Sequence, residues 1–382
     1  MKFKKFNTIL KRGISLLAVT AVISSGIMCN TISAKAAYYT VTPEVGTLLA
    51  GNGAEVFADA DASTYVTSLA GNTPVQVTGR TNNGFWQIAM NNSTYYVSQQ
   101  ALSATPNTTA YRLATYDVSG ALVANAATGK IIYSQAATDK LEPASTTKIM
   151  TALLTIEAIE AGQFTLQTPV AVSATAVASL PSDASHVNPR LQAGEVLTVE
   201  QLLSAVMISS DCQACNVLAE LIAGSVPNFA ALMNTRAAQI GCVNTNFTNP
   251  SGYPDKNMYT NPYSLYLITA TAIKHPMFNQ FFGMASTTLP ATNLCPAPRA
   301  LVNTDALMIP GSAYYNPSVI GGKTGTANRA GQCLVTVAQK EGKTVISVVQ
   351  GGRNRLMTDG TTKSTRYTET NRLLELGFAN YW

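Results

Sequence analysis

Two residues able to exchange a proton stand three apart in Glu142-Pro143-Ala144-Ser145-Thr146-Thr147-Lys148, at the head of an apolar-periodic run from Thr147 to Ala161. Positions three apart on a helix share a face, so the Lys148 amine can reach the Ser145 hydroxyl. Serine is a poor nucleophile until a base removes its proton, and a lysine serves only when burial or a second cation lowers its pKa. A helix N-terminus adds backbone N–H groups beside a forming oxyanion. Serine and lysine meet at this spacing by chance in many chains, so the pair needs support from elsewhere.

A second cation stands in Gly321-Gly322-Lys323-Thr324-Gly325-Thr326, ahead of valine-rich runs at Gln332–Ala338 and Thr344–Val349. A cation and a hydroxyl on an edge strand, beside glycines that admit another backbone, suit docking of a peptide that ends in a carboxylate. A phosphate-binding loop is excluded, because no glycine stands five residues before Gly322, where that pattern requires one. Between the two motifs lies Ser209-Ser210-Asp211-Cys212, within a helical stretch from Val199 to Ile222. A hydroxyl there can pass a proton to a leaving group.

The order, spacing and type of these motifs resemble the serine-type D-alanyl-D-alanine carboxypeptidases, low-molecular-mass penicillin-binding proteins with Ser-x-x-Lys, Ser-x-Asn and Lys-Thr-Gly. The resemblance runs from about residue 115 to about 380 and takes in Asn249-Pro250-Ser251-Gly252, the strand Ala330–Val335 and the closing segment Arg366–Phe378. It implies that Ser145 is acylated by the penultimate D-alanine, with Lys148 as base and Ser210 as proton relay. It further implies that Lys323 holds Ser210 and adds positive potential, that Thr324 and Arg366 grip the terminal carboxylate, and that the backbone N–H groups of Ser145 and Thr326 hold the oxyanion. No metal or organic cofactor is implied. The implied partners are peptidoglycan stem peptides, with β-lactam antibiotics as acylating inhibitors. Cys212 departs from the pattern by standing where asparagine is usual, and a thiol is a weaker partner than an amide for the substrate and for lysine.

Two rival functions are weighed. A β-lactamase needs a carboxylate of the form Glu-x-x-x-Asn between the first two motifs, and none of Glu160, Asp183, Glu195 or Glu200 has asparagine four residues on. A non-catalytic peptidoglycan-binding protein, weakened by Cys212, would not be expected to keep Ser145, Lys148, Ser210, Lys323 and Arg366 together.

The elements that must position these groups are those of an α/β (α+β) three-layer domain over residues 111–382, with an antiparallel sheet flanked by helices. An apolar hairpin turns at Thr128-Gly129, the valine-rich strands join at Glu341-Gly342, and an amphipathic helix spans Arg366 to Gly377. Residues 38–103 alternate in short strands broken at Asn82-Asn83-Gly84 and Asn91-Asn92-Ser93, which predicts a small all-β barrel. Trp86 with Tyr96-Val97 is similar to the bacterial Src-homology-3-like domains of exported wall enzymes. Residues 104–110, with Pro106, read as a linker.

Residues 1–36 read as a secretory signal cut before Ala37, from a basic opening, an apolar run from Gly13 to Met28 and Ala34-Lys35-Ala36. A secreted, extracellular or wall-associated protein is expected, without membrane insertion after cleavage. Six cationic residues precede Glu44, and removing them turns the formal +5 into −1, which excludes an electrostatic nucleic-acid binder. With two histidines in 382 residues, a histidine-based metal site is not expected. Cys212, Cys215, Cys242, Cys295 and Cys333 follow the signal, an odd number that leaves a thiol free or paired between chains. The Cys-x-x-Cys spacing of Cys212 and Cys215 invites a zinc or redox reading, but four convergent ligands are not found, and neither reading is adopted.

Overall fold

The computed structural model describes residues 39–50, 54–60, 65–70, 72–104, 116–356 and 361–381. The expected signal at 1–36 and positions 105–110 of the expected linker lie outside the described residues.

Alternation in the N-terminal segment produces seven strands: β1 (Val41–Ala50), β2 (Ala54–Phe57), β3 (Tyr65–Leu69), β4 (Pro74–Thr81), β5 (Phe85–Met90), β6 (Ser93–Ser98) and β7 (Leu102–Ser103). β4 shows the period of two plainly, with Val75, Val77, Gly79 and Thr81 inward and their neighbours outward. Val56, Val75, Val77, Ile88 and Val97 make a small apolar cluster. The strands hydrogen-bond in the order β3-β2-β6-β5-β4-β1-β7, and the end strands β3 and β7 do not pair with each other. The sheet is therefore open. This corrects the expected barrel and removes the structural basis for a Src-homology-3-like assignment.

The second assembly begins with the hairpin β8 (Gly120–Asn125) and β9 (Ile131–Gln135). Helix α1 (Lys148–Glu160) is followed by β10 (Pro169–Ala171), α2 (Ala174–Ala178), β11 (Val196–Thr198), α3 (Val199–Ser204), α4 (Cys212–Ala223), α5 (Val226–Ile240), α6 (Pro262–Ala272) and α7 (Pro276–Phe282). The chain then forms β12 (Ser286–Leu289), β13 (Arg299–Val302), β14 (Val319–Ala327), β15 (Gly331–Lys340), β16 (Lys343–Gly352), β17 (Asn354–Leu356), β18 (Thr362–Ser364) and α8 (Thr365–Ala379). Five strands form an antiparallel sheet in the order β14-β15-β16-β8-β9. The inner faces of β15 and β16 differ by side. Val335, Val337, Ile346 and Val348 join the core built on α1, α3, α4 and α6, whereas Ala338, Val345 and Val349 pack with Leu373 and Leu374 of α8. The sheet thus lies between two helical layers, as expected. β14 is its edge.

The run from Val199 to Ile222 is not one helix. After α3 the chain widens into a π-helical turn over residues 205–209, reverses at Ser210 with φ 65°, and restarts at α4 with Asp211 as N-cap. Among the described residues no single helix is long and apolar enough to cross a membrane.

Candidate active site

Three segments converge on one buried amine. Ser145 lies in a tight turn, Ala144–Thr147, that feeds directly into α1, so Lys148 is the first residue of that helix. The Lys148 side chain is fully buried, with Nζ 2.8 Å from Ser145 Oγ, 2.8 Å from the carbonyl oxygen of Ser251 and 3.4 Å from Cys212 Sγ. Ser251 belongs to the Asn249–Gly252 turn, where Asn249 Oδ1 accepts from the backbone N–H groups of Ser251, Gly252 and Tyr253.

Close packing holds the Ser145 turn. A Cβ on Gly252, whose φ is +78°, would lie 1.8 Å from the Ala144 carbonyl oxygen, and one on Gly325 would lie 2.9 Å from that of Pro143. Ala144 itself has φ 46°, a left-handed conformation that disfavours any residue with a Cβ. Ser210 shares this conformation on the opposite wall. Such strained residues persist only where their surroundings fix them, and both adjoin the reacting groups.

Asp211 fixes the Ser210 turn. Its buried carboxylate caps Ala214 N–H at 2.9 Å and accepts from the N–H groups of His186, at 2.8 Å, and Val187, at 3.1 Å. His186 Nδ1 lies 2.9 Å from the Ser210 carbonyl oxygen. A carbonyl only accepts, so Nδ1 carries the hydrogen and Nε2 is left for other partners. The Ser210 hydroxyl is buried and has no hydrogen-bond partner.

Lys323 is 1% exposed in the middle of β14. Its Nζ donates to the Thr324 carbonyl oxygen at 3.2 Å; the Ser210 hydroxyl, its expected partner, is not hydrogen-bonded to it. Burial first, and then the charge of Lys148, pushes the Lys323 pKa down to about 7. Asp305, also fully buried, opposes this weakly, and its own carboxyl is pushed up to about 6 by burial. One Asp305 oxygen has no partner. Arg366 Nη1 donates to Thr326 Oγ1 at 3.0 Å and to the Gly325 carbonyl at 3.1 Å, which sets the guanidinium at the end of β14. Thr324 Oγ1 meets Thr304 Oγ1.

Two adjoining cavities meet at Ser145. A smaller one of about 160 Å³ is bounded by Ser210, Thr324, Thr326 and Arg366, and a larger one of about 710 Å³ reaches past Cys212 to Tyr253, Arg329 and Arg353. His186 borders both. Every site residue expected from the sequence except Lys148 and Lys323 borders one of them, and those two lie beneath. His186 and Asp305 were not singled out as site residues, since a lone histidine and a lone aspartate carry no spacing signal. Of the five carboxylates between the first two motifs, only Asp183 borders the cavity of Ser145; Glu157 pairs with Arg236, Glu160 with His275, Glu195 with Arg299, and Glu200 accepts from Gln167.

A nucleophile beside a buried amine, an open edge strand and a cationic end to the cleft together suit acyl transfer from a peptide with a free C-terminus. Comparison with known proteins agrees. Residues 105–354 match the family model described as D-alanyl-D-alanine carboxypeptidase. The chain is 30% identical to D-alanyl-D-alanine carboxypeptidase DacF of Bacillus subtilis over 70% of its own length and 63% of that relative's. It is 31% identical to the D-alanyl-D-alanine carboxypeptidase of Streptomyces sp. strain K15, over 73% and 92% respectively. The crystal structure of the Streptomyces K15 DD-transpeptidase superposes with a TM-score of 0.60 at 28% identity, covering 70% of this chain and all of that one. Motifs, geometry and relatives thus lead to one conclusion, that the chain belongs to the D-alanyl-D-alanine carboxypeptidase family of serine-type, penicillin-binding enzymes.

Proposed function

We propose that this protein removes the terminal D-alanine from peptidoglycan stem peptides outside the cytoplasmic membrane, through an acyl-enzyme on Ser145. The observation that carries the reading is the 2.8 Å approach of the buried Lys148 amine to Ser145 Oγ. Lys148 takes the hydroxyl proton as Ser145 attacks the penultimate carbonyl. The backbone N–H groups of Ser145 and Thr326 receive the oxyanion, and Ser210, its hydroxyl free of other partners, returns a proton to the departing D-alanine. Arg366, Thr324 and the charge on Lys323 hold the terminal carboxylate in the smaller cavity. Water then frees the acyl group.

A β-lactam presents the same carboxylate and a strained amide, so it acylates Ser145 and leaves slowly. Intact-mass measurement after penicillin addition tests this. One adduct per chain on the parent and none on Ser145→Ala is expected; an equal adduct on both, or rapid turnover of penicillin by the parent, overturns it.

A further inference from the structure

Cys212 and Cys215 occupy the first and fourth positions of α4 and face the same way. Helix geometry puts their Cα atoms about 5 Å apart, inside the range that a disulfide spans without backbone movement. Their surroundings differ. Cys212 borders the larger cavity beside Ser145, with Sγ 3.4 Å from Lys148 Nζ. Cys215 is wholly buried one turn deeper, and its Sγ donates back to the Asp211 carbonyl oxygen at 3.2 Å, toward the end of the helix that Cys212 occupies. Burial pushes the Cys215 thiol up, and Cys212 and Lys148 are both close enough to act on it. The outer thiol, at the start of the helix, is 4% exposed and reaches solvent only through the wall of that cavity, with the inner thiol behind it. Cys242, Cys295 and Cys333 border neither cavity at Ser145, and none of these five cysteines is disulfide-bonded.

We propose that Cys212 and Cys215 form a thiol–disulfide exchange site that accepts low-molecular-mass disulfides, and that its oxidised form slows acylation of Ser145. Cys212, as thiolate, attacks one sulfur of the incoming disulfide. A Cys212–solute S–S bond forms, the solute S–S bond breaks, and the first solute thiol leaves with the proton that Cys212 lost. Cys215 then gives up its proton and attacks the Cys212 sulfur, which forms the Cys212–Cys215 bond and releases the second solute thiol. Two protein thiols are oxidised and one solute disulfide is reduced. The bond draws the Cys212 sulfur toward Cys215 and away from Lys148, which loses one of its three partners. Only this last consequence rests on Lys148 acting as the base for Ser145.

The test exposes the full chain to oxidised glutathione and follows intact mass, peptide masses and the rate of penicillin acylation. The parent is expected to lose the mass of two hydrogens, confined to the peptide that carries residues 212 and 215. Acylation is expected to slow about threefold, the effect of one weak hydrogen bond lost from the barrier, and to recover with dithiothreitol. Cys215→Ser and Cys215→Ala should each stop at a glutathione adduct on Cys212. An unchanged mass, an adduct that persists on the parent, or a disulfide mapped to other cysteines overturns the exchange site. Oxidised parent that acylates at the reduced rate overturns the control of acylation. Ser145→Ala should still form the disulfide, so a failure of the acyl-enzyme reading is seen separately as a missing penicillin adduct on reduced parent.

Discussion

Lys323 and Asp305 share one buried region, and the charge of each depends on the other. With its pKa pushed down to about 7, Lys323 sheds its proton as pH rises past neutrality, and the cleft then loses a cation that attracts the substrate carboxylate. kcat/KM for a D-Ala-D-Ala peptide is therefore expected to fall above about pH 7, mainly through KM. Asp305→Asn removes an anion that weakly favours the protonated lysine, and the alkaline limb should move slightly to lower pH. A pH profile in which the limb keeps its position would show that Asp305 does not act through Lys323. Cys212 gives a second prediction at this scale. An asparagine there would accept from Lys148 and donate to the peptide bond of the substrate, whereas the thiol sits at 3.4 Å and bonds weakly. Cys212→Asn should raise kcat/KM on a D-Ala-D-Ala peptide several-fold, about 1 kcal/mol of transition-state stabilisation; equal or lower turnover would show that the thiol is no handicap.

The edge strand and the nucleophile turn touch through glycine at the element scale. Gly325 of β14 faces the backbone of Pro143 and Ser145, and Gly252 faces Ala144, each with no room for a methyl group. Gly325→Ala is expected to push the strand away from Ser145 and cut the penicillin acylation rate by about 100-fold, since a displacement of about 1 Å has that effect. Gly252→Ala adds the strain of a left-handed alanine and should also lower Tm. Differential scanning calorimetry beside acylation kinetics separates the two, and normal acylation in Gly325→Ala would mean that the turn is not held by contact. Much of this was legible beforehand. The glycines of the Lys323 motif suggest room for a substrate backbone, whereas Gly325 meets the chain's own turn at Pro143 and Ser145; the period of two in the Val335 and Val348 strands announced the sheet. The reversal at Ser210 was not legible, because apolar spacing continues from Val199 to Ile222 straight through it. The turn is fixed instead by Asp211 and His186, contacts between segments about 25 residues apart.

At the scale of the whole molecule, alternation marks short strands but not the closure of their sheet. The inward set of β4 reads the same in an open sheet as in a barrel, and only the pairing of β3 and β7 distinguishes them. Long-range ties of this kind also govern stability, and the most deeply buried is the ion pair of Glu195 and Arg299. Both side chains are at most 1% exposed. The carboxylate also accepts from Gln192 N–H and Thr292 Oγ1, and the guanidinium donates to the Pro189 carbonyl, so the pair fastens the segment that follows His186 to β13. Removing one partner strands the other charge away from water. Glu195→Ala is expected to cost about 3–5 kcal/mol, while exchanging both residues for leucine and methionine should cost far less, because no charge is then left behind. Urea unfolding at neutral pH checks this through the midpoint at constant slope. Equal losses in the single and double variants would mean that packing volume, rather than the stranded guanidinium, sets the cost.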